Sequence, residues 1–215
     1  MVAVCSLPTL AASFEFGMAG CCDSLVNQWP EAEGPEHVID GVGQKYLNFG
    51  EIDTGFAISP AAGSSVAASM KLWAANDAVE RDPNSYQLWG SNESLPAGAT
   101  SVPLSAFSPI SIGDLMLPDS RNAGGDTALD DANSMTVTFD NDAAYTSYLV
   151  VFPGVKDAAA ANSMQIAEVQ LFDAAGAPIF APGDTIAGGQ VVPEPAAGLM
   201  GLFAACSFLL ARRRR

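Results

Sequence analysis

Two tryptophans and a charged loop are the residues of this sequence whose types suggest ligand chemistry. Trp73 and Trp89 offer flat aromatic faces that can bury the apolar side of a pyranose ring. Between them, Asp77 and Arg81 lie in a charged loop and could hydrogen-bond sugar hydroxyls. Each feature has a structural alternative, because tryptophans of a sheet often pack in its core and Arg81 has a carboxylate on either side. The pattern therefore predicts a sugar site or, alternatively, packed indoles beside a salt-bridged loop.

The sequence offers few residues for metal, redox or nucleophilic chemistry. No cysteine lies between residues 23 and 205, so this part can form neither a disulfide framework nor a thiolate metal site. A Ser/His/Asp or Cys/His catalytic group would have to be built on His37, the only histidine. Carboxylates are numerous, but no pair falls in a recognisable catalytic frame. A non-enzymatic protein is therefore favoured, with a hydrolase as a weaker alternative.

The charge of the chain is strongly acidic and unevenly distributed. Nine Lys and Arg face 24 Asp and Glu, and four of the nine are Arg212–Arg215. Up to Pro195, five basic residues thus remain against 24 acidic ones, a net charge of −19. Nucleic acid is excluded as a partner, because phosphate binding relies on Lys and Arg clusters. Cations or neutral polymers are the expected partners.

The middle of the chain has the pattern of β-structure. Short segments rich in aromatic and branched residues are separated by Gly, Pro, Asn and Asp, and no amphipathic helix accompanies them. The predicted strands are Tyr46–Phe49, Gly55–Ser59, Val66–Ala75, Tyr86–Ser91, Ser101–Leu104, Ile110–Leu117, Met135–Phe139, Tyr148–Pro153 and Met164–Phe172. In several of them apolar and polar residues alternate, which predicts one buried and one solvated face. The predicted fold class is all-β, an antiparallel sandwich over residues 23–175.

The two ends of the chain differ from the middle in composition. Residues 1–22 are small and apolar, as in a divergent or truncated secretory signal, although Glu15 interrupts them and no basic residue precedes them. Residues 176–192, rich in Ala, Gly and Pro, predict a flexible linker. The uncharged run 196–211 predicts one C-terminal transmembrane helix of about 24 Å, slightly short of a roughly 30 Å hydrocarbon core. Arg212, Arg213, Arg214 and Arg215 then supply a cytoplasmic stop.

The segment 193–215 combines Pro193-Glu194-Pro195, a short apolar run and a terminal arginine cluster. This order resembles the PEP-CTERM sorting signal of Gram-negative and related bacteria. The resemblance implies an exosortase-type membrane protease as partner, which recognises Pro193, Glu194 and Pro195, and a transient anchor in the membrane. The protein would then reside in the inner membrane during sorting and afterwards at the cell surface or outside the cell. The alternative is an ordinary C-terminal anchor with a chance Pro-Glu-Pro.

The middle of the chain resembles the galactose-binding-like domain of discoidin-type and carbohydrate-binding modules. The resemblance is carried by three segments in order, namely 37–41 (His-Val-Ile-Asp-Gly), 73–91 with its two tryptophans, and 166–172 (Ile-Ala-Glu-Val-Gln-Leu-Phe). It implies a jelly-roll sandwich of antiparallel strands over 23–175.

The same resemblance implies one structural calcium ion. Asp40 and Glu168 occupy the positions where this fold holds the ion through side-chain oxygens, with Gly43, Lys45 and Ala167 as candidate carbonyl ligands. Carboxylates mixed with carbonyls suit a hard cation. Otherwise Asp40 is a turn residue and Glu168 an exposed strand carboxylate.

The function expected from these features is that of an exported, exosortase-processed envelope or extracellular-matrix protein. The link to exopolysaccharide, adhesion and biofilm matrix comes from the sorting-signal resemblance. The alternative is a carbohydrate-binding module whose sugar pocket contains Trp73, Asp77, Arg81 and Trp89.

Overall fold

The structure, a computed structural model, describes residues 12–20, 27–95 and 98–193, and its regular elements are almost all strands. The strands are β1 (Ala12–Phe16), β2 (Met18–Ala19), β3 (Gln28–Trp29), β4 (Tyr46–Asn48), β5 (Thr54–Ser59), β6 (Ser69–Trp73), β7 (Ser85–Ser91), β8 (Ser101–Pro103), β9 (Ser108–Asp114), β10 (Ser134–Thr138), β11 (Ser147–Phe152), β12 (Met164–Ile166), β13 (Glu168–Phe172) and β14 (Thr185–Pro193). The helical elements are short 3₁₀ turns at Pro35–Ile39, Val79–Arg81, Leu104–Ala106 and Asp131–Asn133. The predicted all-β class is confirmed.

Two facing antiparallel sheets form the sandwich. The larger has the strand order β8-β1-β14-β5-β11-β7-β9, and the smaller has the order β10-β6-β13. Strand β11 is buried along its whole length because it lies inside the larger sheet, between β5 and β7. From the smaller sheet, Met70 and Leu72 enter the same core cluster as Phe56 and Tyr148 of the larger one. Lys71 between them faces outward, as the alternation predicts.

The C-terminal segment Met164–Phe172 was predicted as one strand and is two. Up to Ile166 the chain pairs with β4, and from Glu168 it pairs with β6. Between these strands the amide of Ala167 donates to the carbonyl of Trp73 at 3.1 Å. A change of partner strand at Ala167 therefore divides the segment.

The prediction of a flexible linker at 176–192 is wrong from residue 185 onward, where the chain forms strand β14. Residues 185–193 lie between β1 and β5 of the larger sheet and pair with both. The glycines that suggested flexibility are needed for packing, because a Cβ atom on Gly188 would lie 2.5 Å from the hydroxyl of Tyr46. At Gly189 a Cβ would lie 2.5 Å from the ring of Phe14.

Part of the signal-like segment 1–22 is also a strand. In β1, Phe14 is fully buried while Glu15 is exposed, so the residue that interrupts the apolar run occupies the solvated side of a strand. Phe14 belongs to a second apolar cluster on the outer face of the larger sheet, together with Leu149 and Val151. Residues 1–11 and 21–26 lie outside the described part of the chain.

Strand β14 ends at Pro193, the last described residue. Glu194, Pro195, the run 196–211 and Arg212–Arg215, on which the sorting signal and the transmembrane helix were predicted, lie outside the described residues. Among the residues that the structure does describe, no helix is long and apolar enough to span a membrane.

The strand directions divide the connecting loops between two ends of the sandwich. One end, named here the cationic end, contains residues 40–45, 74–84, 115–133 and 153–163. The other, the acidic end, contains residues 60–68, 139–146 and 173–184 and has neither Lys nor Arg.

Candidate functional site

A buried lysine organises one side of the cationic end. Lys45 directly precedes β4 and its side chain is nearly enclosed, with 7% of the residue exposed. Its Nζ lies 2.8 Å from Asp77 Oδ1, 3.2 Å from Gln165 Oε1 and 3.6 Å from Glu33 Oε1. Enclosing an ammonium group is costly unless carboxylates and amides surround it. The three oxygens therefore fix Lys45 in place.

The pKa of Asp77 reflects this pairing. Partial burial of Asp77 raises the pKa of its carboxyl, but the hydrogen bond and positive charge of Lys45 outweigh that effect, so the pKa lies below its usual value. The carboxylate is therefore ionised over the whole physiological range.

A small polar recess lies beside Lys45. Its volume is about 150 Å³. Its wall is formed by Ala32, Glu33, Gly43, Gln44, Lys45, Asn76 and Gly125. The Gln44 side chain donates to Asp126 Oδ1 at 2.6 Å, which ties the recess to the loop 115–133. Gly43 is needed there because a Cβ atom would collide with the carbonyl oxygen of Ala123. The recess thus offers a carboxylate, an ammonium and two amides within a space of roughly five water molecules.

The loop 74–84, next to the recess, has an unfavourable backbone conformation that neighbouring residues stabilise. Ala78 has a positive φ of 43°, which is unfavourable for a residue with a side chain. The Gln165 side-chain amide donates to the carbonyls of both Asp77 and Ala78, and Arg121 donates to the former at 3.4 Å. The position of Asp77 is therefore fixed by Gln165 of β12 and Arg121 of the loop 115–133 as well as by Lys45.

The four residues predicted to bind a ligand do not form one group. Asp77 and Arg81 lie together in the loop 74–84, near enough for Arg81 to lower the pKa of Asp77 after the stronger effects of its burial and of Lys45. Trp73 lies at the same end but is 8% exposed. Lys71 Nζ lies 4.5 Å above the Trp73 ring. The Trp73 Nε1 donates to Asp131 Oδ1 at 3.2 Å. The indole of Trp73 is therefore packed.

Trp89 lies elsewhere. It belongs to β7 in the larger sheet and packs against the second apolar cluster on the outer face, beside residues such as Leu149. Its Nε1 is buried without a hydrogen-bond partner among the described residues. A site shared by Trp73 and Trp89 is therefore not formed.

The cationic end also contains a buried ion-pair cluster that was not predicted from the sequence. Asp82 is fully buried, and Arg121 donates to both of its carboxylate oxygens at 2.8 Å. Lys156 Nζ lies 3.1 Å from Asp82 and 2.9 Å from Asp119. Three loops distant in sequence are thus joined at one carboxylate. No local sequence pattern predicts that Arg121 and Lys156 pair with Asp82. Asp82 was expected to pair with the adjacent Arg81, and it pairs with these two residues instead.

The two carboxylates predicted to bind calcium are brought together. The amide of Gly41 donates to Glu168 Oε2 at 3.1 Å, directly beside Asp40. Glu168 is 3% exposed, so the alternative of an exposed strand carboxylate is wrong. Burial raises the pKa of Glu168 to about 8, and the negative charge of Asp40 adds to the effect. None of the ion pairs between described residues neutralises Glu168.

Asp40 also makes the contacts of a turn residue. Its Oδ1 accepts from the amide of Val42 at 2.9 Å, and its Oδ2 lies 2.9 Å from His37 Nδ1. The carboxylate oxygens of the partly exposed Asp40 and the buried Glu168 suit a hard cation. The described residues contain no group of three or more His, Cys, Asp or Glu suited to a metal ion. The carbonyls of Gly43, Lys45 and Ala167 stay the predicted further ligands.

Comparison with known proteins gives structural neighbours alone. No protein-family model matches the chain, and no curated protein matches it. The chain is similar to family 32 carbohydrate-binding modules. The module of Streptococcus pneumoniae EndoD is 10% identical, with a TM-score of 0.46, and the match covers 74% of this chain and 99% of that chain. The module of Clostridium perfringens NanJ, in complex with galactose, is 10% identical, with a TM-score of 0.44 and coverages of 66% and 85%.

A further Clostridium perfringens module, in complex with GalNAc-β-1,3-galactose, is 16% identical, with a TM-score of 0.43 and coverages of 63% and 81%. At such identities and scores the function of this chain has to be argued from its own residues.

Proposed function

We propose that this protein is a non-catalytic carbohydrate-binding module whose sugar site is the polar recess at the cationic end. The observation that carries the proposal is the set of groups lining the recess, namely Glu33, Gln44, Lys45 and Asn76. A sugar hydroxyl both donates and accepts hydrogen bonds. It can be matched by a carboxylate that only accepts, an ammonium that only donates and amides that do both. Lys45 and Glu33 are held by ion pairs and Gln44 by its hydrogen bond to Asp126 before any ligand arrives, so these groups lose little freedom on binding.

The charge of the recess indicates the class of sugar. Glu33 and Lys45 are the charged residues that line the recess, Asp77 and Asp126 lie beside it, and the whole sandwich is strongly acidic. A uronic acid or a sulfated sugar would be repelled. The module is therefore proposed to bind neutral sugars at one ring of a polysaccharide.

A glycan array probed with the full chain tests this function. Asn76 is exposed and lines the recess, so Asn76→Ala removes a ligand contact without disturbing the core. Loss of one hydrogen bond predicts roughly tenfold weaker binding to the best neutral glycan. Asn92→Ala, the same substitution at an exposed position at the other end of β7, should leave binding unchanged. Retention of anionic glycans only, or equal binding by Asn76→Ala and the native chain, would contradict the proposal.

A structural calcium ion is proposed between Asp40 and Glu168, with carbonyl oxygens of Gly43, Lys45 and Ala167 as further ligands. When bound, the ion would neutralise the two carboxylates and fix the loop 40–45, which also forms one wall of the recess.

Export and sorting are proposed from the sequence of the C-terminal segment. Pro193-Glu194-Pro195, the apolar run 196–211 and Arg212–Arg215 are the features on which an exosortase-type protease would act. The module would then serve in the cell envelope or matrix and bind a neutral exopolysaccharide there. Intact mass of the protein recovered from its native cell tests this. A mass that retains the terminal arginines would contradict cleavage and leave sugar binding untouched.

A further inference from the structure

A single buried amide connects the recess to a strained turn. Gln165 lies at the centre of β12 and is fully buried. The oxygen of its side chain accepts from Lys45 Nζ at 3.2 Å. The nitrogen donates to the carbonyls of Asp77 and Ala78. One side chain thus contacts both the cation of the recess and the backbone of the loop 74–84.

These three hydrogen bonds require an amide at position 165. An ammonium group only donates hydrogen bonds, and a carbonyl oxygen only accepts them. A primary amide matches both, because its oxygen accepts while its nitrogen has two N–H groups, one for each carbonyl. A glutamate would place a further acceptor against the two carbonyls, and an apolar side chain would leave all three groups without this partner. The side chain of Gln165 is therefore matched to the loop by its chemistry as well as by its size.

The turn that Gln165 holds has a backbone conformation that its own residues do not favour. Ala78 has a φ of 43° and a ψ of 70°, in the left-handed region. A residue with a Cβ atom is disfavoured there by roughly tenfold. The short 3₁₀ turn Val79–Arg81 begins at this point without a side-chain cap. Because local interactions do not explain the conformation, the tertiary hydrogen bonds from Gln165 supply it.

The loop 74–84 is anchored at both bases by burial, whereas its tip carries part of the recess. Ala75 is fully buried where the loop begins, and Asp82 is fully buried where it ends. Between them, the exposed Asn76 lines the recess and Asp77 pairs with Lys45. A change of φ at Ala78 rotates the chain on either side of it. The positions of Asn76 and Asp77 therefore depend on this turn.

We propose that Gln165 is the positioning residue of the sugar site, an inference that rests on the proposed function of the recess. Its amide keeps Ala78 in the left-handed conformation, and this conformation holds Asn76 and Asp77 in place. Without the amide the turn relaxes, so the site is formed in only a fraction of the molecules. The apparent affinity falls by that fraction. The affinity for sugar is thus set by a residue outside the lining of the recess.

Paired substitutions at positions 165 and 78 test this role in the full chain. Gln165→Met removes the three hydrogen bonds with little change in side-chain length, and binding to the best neutral glycan should weaken at least tenfold. Adding Ala78→Gly removes the conformational penalty, because glycine adopts a positive φ readily, and should recover about fivefold. Glu51→Gly relieves a positive φ of 62° in the loop before β5 and should recover nothing. Native affinity in Gln165→Met, or equal recovery by Glu51→Gly, would overturn the proposal.

A second variant tests the turn without changing a buried residue. Ala78 is half-buried, so a larger side chain can be accommodated there. A β-branched residue is strongly disfavoured at positive φ. Ala78→Val should therefore weaken glycan binding severalfold, while Ala78→Gly alone should bind as the native chain does. Unchanged binding by Ala78→Val would contradict the role of the turn even if Gln165→Met fails to fold.

Amide hydrogen exchange separates this inference from the proposed function, because it needs no glycan. The amides of Arg81 and Asp82 donate to the carbonyls of Ala78 and Val79 at 3.0 and 3.2 Å. Both should exchange at least fivefold faster in Gln165→Met and slow again when Ala78→Gly is added. Unchanged exchange in Gln165→Met, with glycan binding intact in the native chain, overturns the positioning role alone. A native chain that binds no neutral glycan overturns the function of the recess and the positioning role with it.

Discussion

The carboxylates at the two ends of the sandwich are stabilised in different ways. At the cationic end, all five Lys and Arg side chains of the described residues lie in the loops or, in the case of Lys71, pair with them. At the acidic end, carboxylates are satisfied by backbone amides. Asp184 accepts from Ala61 and Ala181, and Asp173 accepts from Ala175 and Ala177.

The difference shows that ion pairs can connect loops that are distant in sequence, whereas these backbone hydrogen bonds cannot. An amide near in sequence can satisfy a carboxylate within its own turn, as at Asp173. Only long cationic side chains such as Arg121 and Lys156 reach across loops and fix several of them at one carboxylate. The end with fixed loops contains the small polar recess. The acidic end instead has a wider and largely apolar depression of about 510 Å³ between residues 60–66 and 173–179.

The largest expected effect comes from removing one buried carboxylate at each end. Asp82→Asn leaves Arg121 and Lys156 without their buried partner, and such a loss costs about 3–5 kcal/mol of the free energy of unfolding. Asp184→Asn, the same substitution at the acidic end, loses one hydrogen bond to an amide and should cost about 1–2 kcal/mol. Urea denaturation of both variants measures the two values. Equal losses would mean that the two ends are not held differently.

The next effect concerns Glu168 and depends on pH. The pKa of Glu168 is raised from 4.5 to about 8 in the folded chain, mainly by burial. Its contribution to stability is full below pH 4.5 and is lost as the pH rises to about 8, because folding then opposes ionisation of the carboxyl. Glu168→Gln should remove this pH dependence, which thermal melting at pH 5 and pH 8 can measure.

Calcium should act in the opposite direction at the same residue. The ion binds the ionised carboxylates, so it should raise the melting temperature most at pH 8 and least at pH 5. A chelator should reverse the increase. Identical melting curves at pH 8 with calcium and with chelator would exclude the proposed ion.

The smallest effect is expected at an exposed member of the ion-pair cluster. The hydrogen bond and charge of Lys156 lower the pKa of Asp119, yet the Asp119 side chain is almost fully exposed. Solvent screens such pairs. Asp119→Asn should therefore leave the urea midpoint within experimental error, in contrast to Asp82→Asn. A loss comparable to that of Asp82→Asn would show that the cluster acts as one unit.

Much of the fold could be predicted from local patterns. Alternation in segments such as Met135–Phe139 reports burial on one face, and it indicated strands in both sheets, although β1 and β14 of the larger sheet were missed. Strand β14 was missed because Gly188 and Gly189 look the same in a flexible segment and in a strand that packs closely against Tyr46 and Phe14. Only the tertiary contact distinguishes the two.

Less of the candidate site than of the fold could be predicted from the sequence. The proximity of Asp40 and Glu168 followed from a resemblance to a fold. The cluster at Asp82 did not, because Arg121 lies 39 residues away and nothing in the spacing links them. The tryptophans could not be placed from the sequence for a related reason, since Trp73 and Trp89 occupy different sheets and do not share one site.

The position of β14 has a mechanical consequence. If the protein is held by the segment that follows Pro193 while polymer pulls on the module, the load enters along the axis of β14. The hydrogen bonds of an antiparallel sheet lie perpendicular to its strands, so bonds to β1 and β5 on both sides of β14 resist together in shear. A tether attached to an edge strand would instead peel its bonds one at a time. A chain held at that end would thus be loaded through an interior strand of the larger sheet.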